Sequence, residues 1–176
     1  LPSPGKVNTR FIAESTKIFD RTGGHLLYEV HGEEKRTIIP FSEMPETGRA
    51  ATITLEDQDF YSHHGIKLSS IMRAVFKDFV GGGAQQGGST ITQQFVKNSL
   101  LTPEKTFTRK IKEAILSVEM EQKFSNDEIL AMYLNEIPYG SNAYGLEAAA
   151  QTFFGKNAKN LTLDEAALLA SLPNAP

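Results

Sequence analysis

Apolar and polar residues change rhythm once along this chain. Up to about residue 40 the pattern is short-ranged: Thr16–Asp20 and His25–His31 carry β-prone or alternating residues around Arg21-Thr-Gly-Gly24, which predicts a hairpin. Thr37–Ile39 is the candidate for a third strand. Beyond Phe41 the period becomes helical. Leu68, Ile71, Met72, Val75, Phe76 and Phe79 form one continuous apolar stripe at helical spacing. Gly81-Gly-Gly83 ends that stripe, and Gly87-Gly88 leads into the next helix with Ser89 as the expected N-cap. Thr102 followed by Pro103 predicts the start of a long helix reaching about Lys123, with Ile111, Ala114, Ile115 and Val118 on its buried side. Ser125 with Glu128, and Thr162 with Glu165, read as capping boxes that open two more helices. Gly155 after Phe153-Phe154 reads as a helix stop. The expected fold class is mainly α with a small N-terminal β element. Residues 1–40 read as a hairpin region or linker and 41–176 as the main domain, cut short at its C-terminus, since the chain ends soon after a helix at Leu172-Pro-Asn-Ala-Pro176.

Composition narrows the function. With 176 residues, 40% hydrophobic and 22% charged, the chain has the make-up of one globular domain. A net charge of −3 argues against a nucleic-acid binder, which needs a basic surplus for phosphate. Charge is uneven, however. Between Ser89 and Lys112 lie five basic residues, Lys97, Lys105, Arg109, Lys110 and Lys112, against the single acid Glu104. Such a stretch suits a phosphorylated ligand as well as a solvated helix face. The chain contains no cysteine, which removes disulfides and thiolate catalysis. No apolar run approaches the roughly 20 residues that span a bilayer, so any membrane anchor is expected outside this sequence.

Three clusters carry candidate chemistry. Glu56-Asp57-Gln58-Asp59-Phe60-Tyr61-Ser62-His63-His64-Gly65 packs acids and histidines into ten residues. Adjacent histidines point apart on any regular element, which is poor metal spacing. A carboxylate at a helix end beside Phe60 and Tyr61 is a better general base, because partial burial raises its proton affinity. A polar loop whose Asp57 and His63 hold the backbone explains the same residues. The second cluster, Gly87-Gly-Ser-Thr-Ile-Thr-Gln-Gln94, brings glycines and hydroxyls to a helix N-terminus, where free N–H groups suit an anion. It lacks the Lys-Ser/Thr ending of a nucleotide P-loop. The third is Arg109-Lys110-Ile111-Lys112-Glu113, in which Arg109 and Lys110 lie one helical turn from Glu113. Taken alone, it is also a surface salt-bridge ladder.

Together, in order, Glu56-Asp57-x-x-Phe60-x-x-His63-x-Gly65, Gly88-Ser-Thr-x-Thr-Gln-Gln94 and Arg109-Lys110-x-x-Glu113 resemble the family-51 glycosyltransferase domain of class A penicillin-binding proteins and monofunctional peptidoglycan polymerases. Glu128-Ile-Leu-x-x-Tyr-Leu-Asn135 and Gly145…Ala148-Ala149…Phe154-Gly155-Lys156 look like that family's fourth and fifth motifs. Gln58 and Asp59 depart from it, since family members often carry basic residues there, and the family domain continues past Pro176.

The resemblance implies a lysozyme-like helical fold and an enzyme that polymerises lipid II into β-1,4-linked glycan with inversion, releasing undecaprenyl diphosphate. It assigns Glu56 as general base and Glu113 as the second catalytic carboxylate. Asp57, Phe60, His63, Ser89, Thr90, Gln94, Lys97, Arg109 and Lys110 become substrate-binding candidates, the basic ones at the donor diphosphate. Glu113 has two roles open to it: positioning those basic residues, or helping to bind a divalent ion such as Mg or Mn. The sequence itself requires no cofactor. Implied partners are lipid II, the growing lipid-linked strand, a membrane surface met by the Leu68–Phe79 helix, and the phosphoglycolipid inhibitors of the family. The implied location is the extracytoplasmic face of the bacterial inner membrane. By analogy with inverting glycosidases, the two carboxyl groups are expected about 6–10 Å apart. A hydrolase of finished peptidoglycan and a catalytically silent binding module are the competing readings. The basic cluster disfavours the first and Glu56 the second.

Overall fold

The computed structural model describes residues 5, 16–30, 35–67, 88–102 and 106–174, and the Leu68–Phe79 stripe with its glycine exit lies outside them. Within these residues the architecture is mainly helical. Six α-helices are α1 (Glu46–Glu56), α2 (Ile91–Ser99), α3 (Phe107–Lys123), α4 (Asn126–Glu136), α5 (Leu146–Phe154) and α6 (Leu163–Ser171). The expected hairpin forms from β1 (Thr16–Phe19) and β2 (Leu26–Val30), antiparallel, with Ile18 opposite Tyr28.

The third strand differs from the expectation. It is β3 (Lys35–Arg36), and it pairs in parallel with β5 (Ala143–Tyr144) rather than with the hairpin. β4 (Pro138–Gly140) completes this second small sheet. Thr37–Ile39 is not a strand because a side chain claims its backbone. Asn135 accepts from Ile39 N at 3.1 Å through Oδ1 and donates to Ile39 O at 2.9 Å through Nδ2. A buried pair, Arg36 to Glu136 at 2.9 Å, fixes the adjoining residue.

Two helix starts also move. α2 is capped by Thr90, not Ser89: the Thr90 hydroxyl accepts from Gln93 N at 3.1 Å while the Gln93 side chain accepts from Thr90 N at 3.0 Å. The same hydroxyl donates to Gly65 O at 2.7 Å, a tertiary bond that selects Thr90 over its neighbour. α3 begins after Thr106, whose hydroxyl accepts from Arg109 N at 3.1 Å, one turn later than Thr102 predicted. The boxes at Ser125/Glu128 and Thr162/Glu165 form as expected, and Gly155 ends α5 in the left-handed region at φ 66°.

α4 is the centre of the core. Its Ile129, Leu130, Tyr133 and Leu134 are buried against α2, which also packs on α3, while α1 lies along α6. Burying side chains of this size contributes about 1.5–3 kcal/mol each. The orientation of α3 corrects the expected apolar face. Ile111 and Ile115 are 46% and 43% exposed, and the buried face is Glu113, Leu116, Ser117 and Met120. An acid thus occupies the inside of α3 while isoleucines face out.

Candidate active site

Glu56 is the last residue of α1 and is half-buried. Gln94, one turn into α2, donates from Nε2 to Glu56 Oε2 at 2.7 Å. The Tyr133 hydroxyl of α4 donates to Gln94 Oε1 at 3.1 Å, which sets the orientation of that amide. Burial, and then the charge of Glu56, push the Tyr133 phenol far above its ordinary value; Tyr139 responds in the same way. Both phenols therefore stay protonated beside the carboxylate at any biological pH.

Asp57 turns inward where α1 stops. Its side chain is fully buried, accepts from Ile91 N at 3.0 Å and pairs with His63 Nε2 at 2.8 Å. Lys67 Nζ approaches its other oxygen at 2.6 Å. Burial alone would lower the Lys67 pKa, but Asp57 and then Asp59 outweigh it and hold it above the ordinary lysine value. His63 Nδ1 accepts from Gly65 N at 3.2 Å, so the proton directed at Asp57 resides on Nε2. Phe60 is buried in the core, edge-on to Tyr61 and His63. Asp57, Phe60 and His63 thus hold the loop after Glu56, as the polar-loop reading of this stretch describes.

The third cluster forms a compact charge array. The Glu113 side chain is 1% exposed, with Arg109 NH1 at 2.7 Å from Oε2 and Lys110 Nζ in contact with Oε1. Lys110 Nζ also donates to Ser89 Oγ at 2.8 Å, joining α3 to the segment that leads into α2. A solvent-exposed ladder would not bury its acid, so the array is not merely a surface feature. Ser89 is half-buried, whereas Thr90 is buried and committed to Gly65 and Gln93. Lys97 stands exposed one turn beyond Gln94.

The structure therefore brings Glu56 together with Gln94, and Ser89 with Lys110, Arg109 and Glu113, both groups anchored on the start of α2. Reasoning from sequence missed Tyr133, Lys67, Thr92 and Glu121. Thr92 Oγ1 donates to Glu121 Oε1 at 2.6 Å in a nearly buried contact. Tyr133 lay within the Tyr-Leu-Asn run, but no periodicity marks which buried hydroxyl meets an amide.

A divalent ion at Glu113 fits poorly. Each carboxylate oxygen already has a cationic side chain, and among the described residues no three His, Asp or Glu side chains converge.

Residues 23–176 match the family described as Transglycosylase. The chain belongs to this family, the family-51 glycosyltransferases of peptidoglycan synthesis, whose domain has a lysozyme-like helical fold. It is 45% identical to penicillin-binding protein 1F of Bacillus subtilis over 164 residues, covering 92% of this chain and 22% of that protein. It is 44% identical to penicillin-binding protein 1A of Aquifex aeolicus over 176 residues, covering 100% of this chain and 24% of that protein. Against penicillin-binding protein 1A of Neisseria cinerea the identity is 48% over 147 residues, covering 84% of this chain and 18% of that protein. The chain thus spans no more than about a quarter of the length of these relatives.

Proposed function

We propose that this domain extends glycan chains from lipid II with inversion at the anomeric carbon, Glu56 acting as general base. The acceptor 4-hydroxyl is a weak nucleophile, so its proton must pass to a base as the new C–O bond forms. Glu56 is suited to that task. It has one oxygen fixed by Gln94, and it ends a helix at the rim of the core. The bond from the donor sugar to its diphosphate breaks as the new bond forms, and undecaprenyl diphosphate leaves. A leaving anion of this kind needs charge stabilisation more than protonation. Lys110, Arg109 and the exposed Lys97 supply it, with Ser89 on the same side.

The observation that carries the reading is the buried Glu113 holding Arg109 and Lys110 while Lys110 also reaches Ser89. On this reading Glu113 positions the cations rather than binding a metal.

The membrane side of the reading rests on α3. Phe107, Ile111 and Ile115 are 80%, 46% and 43% exposed at i, i+4 and i+8, an apolar line beginning beside the charge array. A lipid-borne donor reaches the site from such a face without leaving the bilayer, which fits a domain at the extracytoplasmic side of the bacterial inner membrane. Phosphoglycolipids, with a phosphate and a lipid tail, are expected to occupy the donor side.

The test is polymerisation of lipid II in detergent or liposomes. Glu56→Gln should lower the rate by about 10²–10⁴-fold while leaving phosphoglycolipid binding intact. Polymerisation at the parental rate would overturn the assignment. Release of polyprenyl diphosphate separates this activity from hydrolysis of finished peptidoglycan.

A further inference from the structure

Glu121 is a buried acid for which the chemistry above has no use. It lies on α3 two turns beyond Glu113, with Ser117 between them at i+4. Its side chain is 4% exposed; Oε1 accepts from Thr92 Oγ1 at 2.6 Å and lies 3.8 Å from His63 Nδ1. Each neighbour leads to Glu56 by a short route. His63 pairs with Asp57, the residue that follows Glu56 in the chain. Thr92 lies two residues before Gln94, whose amide holds the Glu56 carboxylate.

The rest of α3 strengthens this connection. Ser117 Oγ donates to Glu113 O at 2.7 Å. Gly65 adopts φ +83° directly against Ser117, where an added Cβ would sit 2.6 Å from the Ser117 carbonyl oxygen. The loop that follows Glu56 therefore seats on α3 at Ser117 and Glu121, while the same helix carries Glu113 one turn before Ser117. A buried carboxylate is unfavourable unless it is hydrogen-bonded, and packing alone would be served better by an apolar side chain. Burial raises the Glu121 pKa above its ordinary value, and the Thr92 bond only partly offsets this.

We propose that Glu121 is a positioning residue for glycosyl transfer: from the helix that bears Glu113, it fixes Thr92 at the start of α2, and through Thr92 and Gln94 the place of the Glu56 carboxylate. The inference rests on the reading of Glu56 as base. It makes α3 the common frame for both carboxylates, holding the acceptor side at one end and the donor side at the other.

The experiment uses the full chain and lipid II, with rates expressed per competent site counted by phosphoglycolipid titration. Glu121→Ala is expected to lower kcat by about 10–10²-fold with KM and phosphoglycolipid affinity unchanged, the size of effect that follows a misplacement of about 1 Å. Glu121→Gln, which still accepts from Thr92, should recover most of that loss. Thr92→Val is expected to lower kcat in the same way, with Thr92→Ser restoring it, and this pair decides the matter if Glu121→Ala does not fold. A merely structural role would reduce the number of competent sites and leave kcat per site alone. Parental kcat per site in Thr92→Val, or a loss that appears in KM, overturns the proposal. Glu56→Gln is run in parallel. If it polymerises normally, the base assignment fails and this inference with it; if it is inactive while the Thr92 and Glu121 variants match the parent, only this inference fails.

Discussion

Gly65 rests on the backbone of Ser117, so close that a Cβ would stand 2.6 Å from the Ser117 carbonyl oxygen and 2.7 Å from its carbon. Its φ of +83° is one that side chains other than glycine rarely adopt. Both obstacles are backbone, so neither yields by a change of rotamer. Gly65→Ala is expected to lift the loop that carries Asp57 and His63 off α3. Strain of this kind costs about 1–3 kcal/mol before the clash is counted. Chemical denaturation should show the lost stability, and polymerisation should fall by more than the unfolded fraction explains. A variant with the parent's stability would mean that the loop has another seat.

Lys110 reaches two partners on different segments, Ser89 ahead of α2 and Glu113 on its own helix. Lys110→Ala is expected to weaken phosphoglycolipid binding by about 1.5–3 kcal/mol, the range for a hydrogen bond to a charged group. The parent's affinity should fall with salt, and the variant's should fall less. Calorimetric titration reads both. An unchanged affinity would confine Lys110 to holding Glu113.

The Lys67–Asp57 pair gives stability a pH dependence of known sign. Lys67 is held above its ordinary value of 10.5, so the folded chain keeps its proton where the unfolded chain releases it. The contribution is complete below the ordinary lysine value and is lost as pH rises through the raised one. Lys67→Met should therefore be less stable than the parent at pH 8, and the gap should close in strongly alkaline solution. Urea unfolding across that range tests it; a constant gap would sink the assignment.

The outward line of Phe107, Ile111 and Ile115 sits on a helix whose inner face is already filled. Replacing all three with serine is expected to reduce sedimentation with anionic liposomes and to slow polymerisation in membranes, with little effect on folding. Burying one such side chain in lipid contributes about 1.5–3 kcal/mol, so loss of three is readily measured. Undiminished liposome binding would assign membrane contact to another surface.

Much of this protein was legible in one dimension because its signals are local. Capping boxes at Ser125/Glu128 and Thr162/Glu165, the glycine stop at 155 and the turn between β1 and β2 involve residues within a few positions of one another, and all formed as read. The ordered motifs likewise announced the family before any contact was known. What failed was decided at long range. Thr90 caps α2 because Gly65, 25 residues away, accepts its hydroxyl proton. Thr37–Ile39 is not a strand because Asn135, almost 100 residues on, takes its backbone groups. α3 turns its isoleucines outward because Glu113, Ser117 and Glu121 have partners inside, and a hydrophobic pattern counts apolar residues without seeing which polar ones will be paired. Sequence alone therefore determined the mainly helical class, the locally capped helix starts at Ser125 and Thr162, the stop at Gly155 and the family. Only the tertiary structure decided which acid is buried, which cation meets it and which helix joins the two halves, because those depend on partners brought together by packing.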